Sequence, residues 1–296
     1  MEPYKQRTKL TSPLLWKRLQ RNAVWLALML FVWLMCSAEA RAESLIERQQ
    51  DFPNWQSKPS VGVSEGDLAY PKWMAGSWRM SSTMVDMVAP LAPEIVTPGF
   101  EGNRQFLNKS IPAMIRFVTK PVSEQGLLGS VFAGDGLKDV VEDVKDVFDG
   151  EPKEAVEVVS DRAFNGLSLA RAYLGDDWVK AVKVDPDNPN RQITFLKDNQ
   201  QLISTVTGRT VETPNQGSFA TTEIFQQFFR SPGGSVLEPE NVPTVYLNEV
   251  ENTTIYRKRA DPNFPIMADQ ITAIYLSPQD PDFFMAKGKP VALYRY

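Results

Sequence analysis

The side chains best placed to do chemistry in this chain are carboxylates and arginines on strand-like segments. Alternation along residues 242–256 puts Leu247, Glu249, Glu251, Thr253 and Ile255 on one strand face. The same period along 218–229 groups Thr221, Glu223, Phe225 and Gln227. Two carboxylates two residues apart on one face could serve as an acid and base pair or hold Ca²⁺ weakly. The plainer alternative is the solvated face of a half-buried strand. Arg162, Arg171, Arg209 and Arg257 could each fix a ligand carboxylate through a bidentate contact, or pair with nearby acids at the surface. Arg209, Glu223, Phe225, Glu249 and Glu251 are thus the candidate ligand-binding residues. The aromatic runs Phe225–Phe229 and Phe283-Phe284 are expected in the core, although an apolar interior also suits an apolar ligand.

What is missing narrows the chemistry further. The 296 residues contain no histidine and one cysteine, Cys36. That removes the Ser-His pair, the thiolate nucleophile beyond Cys36, cysteine and histidine zinc sites and histidine-ligated haem. Catalysis would have to rest on carboxylates, tyrosine or lysine, so no catalytic residue, cofactor or metal site is assigned. The aspartates of Asp185-Pro-Asp-Asn-Pro-Asn190 lack the glycine and closing glutamate of a Ca²⁺ loop and are expected to form a turn. Neither G-x-G-x-x-G nor G-x-x-x-x-G-K-[ST] occurs, and strands do not alternate with helices, so a parallel nucleotide-binding sheet is not expected.

Lys5, Arg7, Lys9, Lys17, Arg18 and Arg21 precede the apolar run Ala23–Cys36, the n-region and h-region pattern of a secretory signal. Fourteen helical residues rise about 21 Å, short of the ~30 Å hydrocarbon core, so cleavage is expected rather than an uncleaved anchor. Ala38-Glu-Ala40 and Ala40-Arg-Ala42 have the small-x-small spacing of a cleavage site, which makes residues 1–42 a Sec-type signal peptide. Bulky Met35 before Cys36 argues against lipid attachment. Residues 43–296 then hold 25 basic and 34 acidic side chains, a net charge of −9. Such a surface repels phosphate backbones, and nucleic acid is excluded as a partner.

These residues must be positioned by strands. Residues 43–67 are polar and interrupted by Pro53, Pro59, Gly62 and Gly66, and are read as an extended leader, with a single domain over 68–296. Strands are expected near 78–88, 113–120, 156–163, 178–185, 191–197, 201–212, 218–229, 242–258, 266–277 and 290–296. The turn sequences 185–190 and Lys197-Asp-Asn-Gln200 make these neighbours antiparallel, as in a meander. Leu137, Val140, Val141, Val144, Val147 and Phe148 mark an amphipathic helix of about four turns, stopped by Gly150. It could cap the sheet, act as a lid hinged on Gly126, Gly129, Gly134 and Gly136, or dock on a partner. A second, shorter helix over 166–174 ends at Gly175, and 97–110 is expected to be a long connection. The fold class is mainly β with two short helical insertions.

Gly76-Ser-Trp78 opens the first of these strands, and Pro290-Val-Ala-Leu-Tyr-Arg-Tyr296 forms the last. The pair resembles the G-x-W opening and terminal basic residue of lipocalins and related calycins. This resemblance implies an antiparallel β-barrel in which Trp78 plugs one end and Arg295 lies across its ring, with Gly76, Trp78 and Arg295 closing the barrel. The blocks 85–104, Ser160–Gly166, 185–190 and Asn248–Glu251 resemble a domain-of-unknown-function family of cyanobacteria and plant chloroplasts. That resemblance implies the thylakoid lumen or the periplasm as the setting, and no reaction. The first expectation is therefore a calycin-like protein binding a small apolar or amphiphilic ligand, such as a lipid, pigment or quinone-like compound. The second is a non-enzymatic assembly or interaction factor for photosynthetic membrane complexes with a filled barrel, and an enzyme comes third.

Overall fold

A computed structural model describes residues 43–121, 156–231 and 245–296, together with Met29. The signal-like segment 1–42, the amphipathic stretch 137–148 and the glycines before it lie outside those residues, apart from Met29.

The chain begins with strands β1 (Gly62–Val63), β2 (Ala69–Tyr70), β3 (Gly76–Thr83), β4 (Asp86–Val88), β5 (Ser110–Pro121) and β6 (Val156–Ser160). It continues through β7 (Val179–Asp185), β8 (Asn188–Leu196), β9 (Gln201–Asn215), β10 (Ser218–Arg230), β11 (Val245–Lys258), β12 (Ile266–Leu276) and β13 (Ala292–Arg295). All pairings between these strands are antiparallel. The large sheet runs β4-β13-β12-β11-β10-β9-β8-β7, with β1 against β9, and the small one runs β2-β6-β5-β3. Helices are short: α1 (Leu45–Gln50), α2 (Phe100–Asn103), α3 (Arg162–Leu174) and α4 (Phe283–Ala286). Among the described residues no helix is long and apolar enough to cross a membrane.

The meander from β7 to β12 follows from turn chemistry. At β7–β8, Asp185 Oδ1 accepts from Asp187 N at 3.0 Å, and Asn188 Oδ1 accepts from Asn190 N at 3.0 Å. Between β8 and β9, Asp198 and Asn199 take left-handed φ values of 55° and 58°, the conformation these two residue types tolerate best after glycine. At β9–β10, Asn215 Oδ1 accepts from Gly217 N, and at β11–β12 Asp261 Oδ1 accepts from Asn263 N. At three of these reversals a short polar side chain thus bonds the backbone two residues on.

Strand alternation then gives the large sheet two dissimilar faces. One carries Phe219, Glu223, Tyr256 and Tyr294; the other carries Ala220, Glu251, Ile255, Ile271, Ala273, Tyr275 and Leu293. On the first face Phe219 and Tyr256 pack with Tyr70, Leu68, Met74, Phe117 and Val158 of the small-sheet side. On the second, Leu45 covers Ala220 and Ile255, while Trp55 and Phe52 cover Ile271, Ala273, Tyr275 and Leu293. Residues from Ser218 to Ile224 are buried throughout, because both faces of β10 are covered there.

Three expectations are corrected by this arrangement. Residues 43–67 are not a leader lacking a core. They belong to the compact unit that starts at Glu43, and Leu45 and Trp55 are among its most buried side chains. The expected strand 78–88 divides at Met84 and Val85: β3 pairs with β5, whereas β4 pairs with β13 in the other sheet. Buried Met84 packs with Met87, Phe100 and Tyr294 at that crossover. The large sheet curls into a half-barrel with edges at β4 and β7 and does not close on itself; of the expected first strand only the β4 part meets the last strand, β13.

The expected stack of Arg295 on Trp78 fails for a reason of parity. Arg295 stands opposite Ile271, on the face covered by residues 44–58, and its guanidinium lies 5.8 Å over the ring of Phe52. Trp78 is in the small sheet, opposite Ile115, and its indole N–H donates to Met74 O at 2.8 Å. Gly76 makes this local lock possible. Its φ of +126° is one that L side chains rarely adopt.

Candidate functional site

Two ionic clusters hold the framework, and each uses carboxylates singled out above. Glu251 is fully buried and accepts from Arg48 Nε at 2.6 Å on Oε1 and from Arg48 Nη2 at 2.8 Å on Oε2. Tyr275 Oη donates to Oε2 at 2.9 Å and Thr253 Oγ1 to Oε1 at 2.8 Å. Arg48 also donates to Ser57 O at 2.9 Å, while its guanidinium lies 4.0 Å over Trp55, whose indole N–H donates to Arg48 O. Burial, followed by the Glu251 carboxylate, raises the Tyr275 hydroxyl far above its ordinary range. Glu249, on the same face, pairs with Lys58. The two glutamates therefore bind residues 44–58 to the sheet.

Glu223 stands opposite Asn252 and so on the other face from Glu251. Its Oε1 accepts from Arg162 Nη2 at 3.0 Å, Arg209 Nε at 3.0 Å and Arg209 Nη2 at 2.7 Å. Arg209 also donates to Asn190 Oδ1, and Asp67 lies 3.6 Å from Arg162. Burial opposes the charge on Arg162, but Glu223, Tyr70 and Asp67 together outweigh it and keep that pKa raised. Next to this cluster burial, then Glu223, pushes the Tyr256 hydroxyl up to about 12. Arg209 and Glu223 are thus brought together, and Phe225, half-buried between Val206 and Val250, is separate from both pairs. Arg257 pairs with Asp269.

Arg162 is the first residue of α3, so the second cluster anchors that helix on the large sheet. Its other attachment is to β5. Strand β6 ends at Ser160, and Asp161 caps α3 by accepting from Phe164 N at 3.1 Å. The helix then runs along the β5 edge that β6 has left. Asn165 substitutes for a strand there: Oδ1 accepts from Arg116 N at 2.6 Å and Nδ2 donates to Arg116 O at 2.9 Å. Ser168 Oγ accepts from Met114 N at 2.9 Å. On its far side α3 approaches β8 so closely that a Cβ on Gly166 would lie 2.8 Å from the Gln192 amide.

Between α3 and the outer face of the small sheet lies a groove of about 650 Å³, within the usual range for small-molecule sites. Pro112, Ala113 and Met114 of β5 form one wall and Phe164, Leu167 and Ala172 of α3 form the other. Arg79 of β3, opposite Met114, and Arg171 of α3 stand at its margins, with Asp176 beyond the helix end. Arg79 is exposed and has no ion pair among the described residues. Arg171 is 3.7 Å from the largely exposed Asp176, a contact that contributes little in water. Two guanidinium groups beside hydrocarbon can hold an oxyanion with an apolar tail.

A family model described as a domain of unknown function, DUF6816, matches residues 62–296. The chain belongs to that family. No curated protein and no solved structure matches it. Both walls of the groove and the Glu223 cluster fall inside the stretch that defines the DUF6816 domain, whereas Arg48 and Trp55 precede it. Of the groove residues of this DUF6816 domain, sequence reasoning singled out Arg171 alone. Arg79 carried a weak signal, an arginine at an outward position of a strand, and Met114 and Phe164 carried none.

Proposed function

We propose that the protein is exported through a Sec-type signal, to the thylakoid lumen or the periplasm, and there binds a small amphiphile with an anionic head. The observation that carries this is the groove itself. Among the described residues Arg79 has no ion pair, Arg171 has only a loose one, and Met114, Phe164 and Leu167 offer apolar surface next to both. On a mature chain of net charge −9 an arginine with no ion pair among the described residues, beside exposed hydrocarbon, is a feature that an anion can use. This proposal departs from the closed ligand-holding barrel that the calycin resemblance implied. The curled meander is the scaffold, and the ligand sits between the small sheet and α3 rather than within a closed barrel.

The test is calorimetric titration with a long-chain fatty acid and with the alcohol of equal chain length. The acid binds and the alcohol binds at least about tenfold more weakly, since one charge-assisted contact is worth roughly 1.5–3 kcal/mol. Changing Arg79 and Arg171 together to alanine removes the difference. Equal affinity for acid and alcohol in the parent protein overturns the proposal.

A further inference from the structure

The connection from β12 to β13 carries the most exposed aromatic side chain among the described residues. Phe284, in α4, is 84% exposed, and Met285 beside it is 50% exposed. The opposite side of the same turn is buried: Ala286 packs with Ile95, Leu276 and Val291, and Phe283 lies against them. Thr97 Oγ1 donates to Val291 O at 2.9 Å, which ties the loop 89–99 to this connection. Val96, between the tied residues Ile95 and Thr97, is 80% exposed. Phe284, Met285 and Val96 therefore project from one end of the large sheet.

This projection is held firmly. Asp282 N donates to Asp280 Oδ1 at 2.9 Å, Ala286 N to Asp282 O at 3.0 Å and Lys289 N to Ala286 O at 3.0 Å. Phe283 and Phe284 meet edge to face at 5.4 Å. Lys287 takes a left-handed φ of 51°, which ends the turn and directs the chain back to the sheet. The aromatic side chain is presented to solvent on a supported turn, and its exposure is not that of a frayed end. Apolar side chains held out together on a supported turn offer a surface that a partner can cover.

We propose that this end of the molecule docks on a lipid bilayer with uncharged or zwitterionic headgroups, with Phe284, Met285 and Val96 entering the interfacial region. The charges identify the surface. Asp280 and Asp282 on one side of the tip balance Lys287 and Lys289 on the other, which leaves Glu94 near Val96 as the one uncompensated charge, so the tip is nearly neutral while residues 43–296 together carry a net charge of −9. An anionic membrane repels the bulk of the protein, whereas a neutral one leaves apolar transfer to act unopposed. A projecting aromatic and thioether tip suits the headgroup boundary, where amphipathic surface elements bury their apolar side. The proposal is independent of the groove ligand, because none of its residues lines the groove.

The test is co-sedimentation of the purified protein with phosphatidylcholine vesicles at low and high salt. Binding is expected, with little change when salt is raised, because apolar insertion is not screened. F284S/M285S should lower the partition coefficient by about tenfold or more, as both side chains lose their transfer from water. The thermal midpoint should stay the same, since neither side chain is buried in the free protein. Four results overturn the proposal: no sedimentation; binding that requires anionic lipid and fails in salt; binding unaffected by the double substitution; or a concentration-dependent dimer, without vesicles, that the substitution abolishes.

Discussion

Two arginines in this protein have opposite surroundings, and the difference separates what holds the fold from what is left for a partner. Arg48 is buried, shares both oxygens of Glu251, donates to a backbone carbonyl and lies over Trp55. Its donors are used within the chain. Arg79 is exposed beside Met114 and the α3 side chains, with no ion pair among the described residues. The first removes a buried charge from isolation and fixes residues 44–58 to the sheet. The second makes no such contribution, and among the described residues nothing takes its donors.

The largest effect expected from breaking this contrast is Arg48→Ala. It strands the Glu251 carboxylate, with only Tyr275 and Thr253 left to serve it, and deprives Trp55 of its cover. Loss of one partner of a buried ion pair costs about 3–5 kcal/mol, and urea denaturation should show a midpoint shift of that size. The contrast is sharpened by Arg48→Met with Glu251→Leu, which removes both charges and should recover most of the loss. If Arg48→Ala instead left the midpoint within about 0.5 kcal/mol of the parent, residues 44–58 would be an ornament on the sheet and the clasp would be refuted.

Alkali should act on the same side of the comparison. Tyr256 is raised to about 12 and Tyr70, Tyr275, Tyr294 and Tyr296 are raised too, burial being the first cause in each. A phenol whose folded pKa exceeds its unfolded value contributes its stability fully below the unfolded value near 10. That contribution is lost as pH rises through the folded one. The protein should thus weaken between pH 10 and 12, with tyrosinate absorbance rising together with loss of β-sheet ellipticity rather than before it. A smooth tyrosinate titration completed near pH 10 in folded protein would contradict the burial of these rings.

A smaller loss is expected where the groove is built. Asn165→Ala takes from Arg116 N the oxygen it donates to, while Arg116 O keeps the bond from Asp161 N, at a cost of about 1–3 kcal/mol. Because α3 keeps its anchor through Arg162 and Glu223, the protein should fold while the groove wall shifts. The measurable signature is weakened amphiphile binding together with a lowered midpoint, unlike either arginine alone.

How much of this was legible in the sequence depends on how far apart the partners lie. The meander was legible because β-branched alternation and the Asp or Asn at its described reversals act within a few residues. The observed β7 to β12 lie close to the expected spans. Helix α3 was legible too, though it starts at Arg162 rather than 166, because Asp161 caps it at the end of β6. The clasp was not legible. Arg48 and Glu251 are 203 residues apart, and a short polar segment with two prolines looks unfolded until the carboxylate that receives its arginine is located. The division of 78–88 between two sheets was hidden as well, since alternation continues through Met84 whichever sheet the strand joins. Phe284, expected in the core from composition, is exposed because Phe283 and Ala286 already fill the space beneath the turn. The groove is made by a helix replacing a strand, and no local pattern announces that.

The smallest effect on stability, and the one that completes the comparison, is expected for Arg79→Ala. The residue is exposed, its strand hydrogen bonds are made by the backbone, and the pairing of β3 with β5 continues on both sides of it. Stability should therefore change by no more than about 0.5 kcal/mol. Fatty-acid affinity in the groove should fall by roughly tenfold or more. A change in affinity without a change in midpoint separates Arg79 from Arg48, where the midpoint moves and a groove ligand, far from the clasp on the opposite face of the sheet, is bound as before by whatever fraction is folded. If Arg79→Ala instead lowered stability by more than about 1 kcal/mol, the side chain would be committed within the fold, and the distinction between the two arginines would collapse.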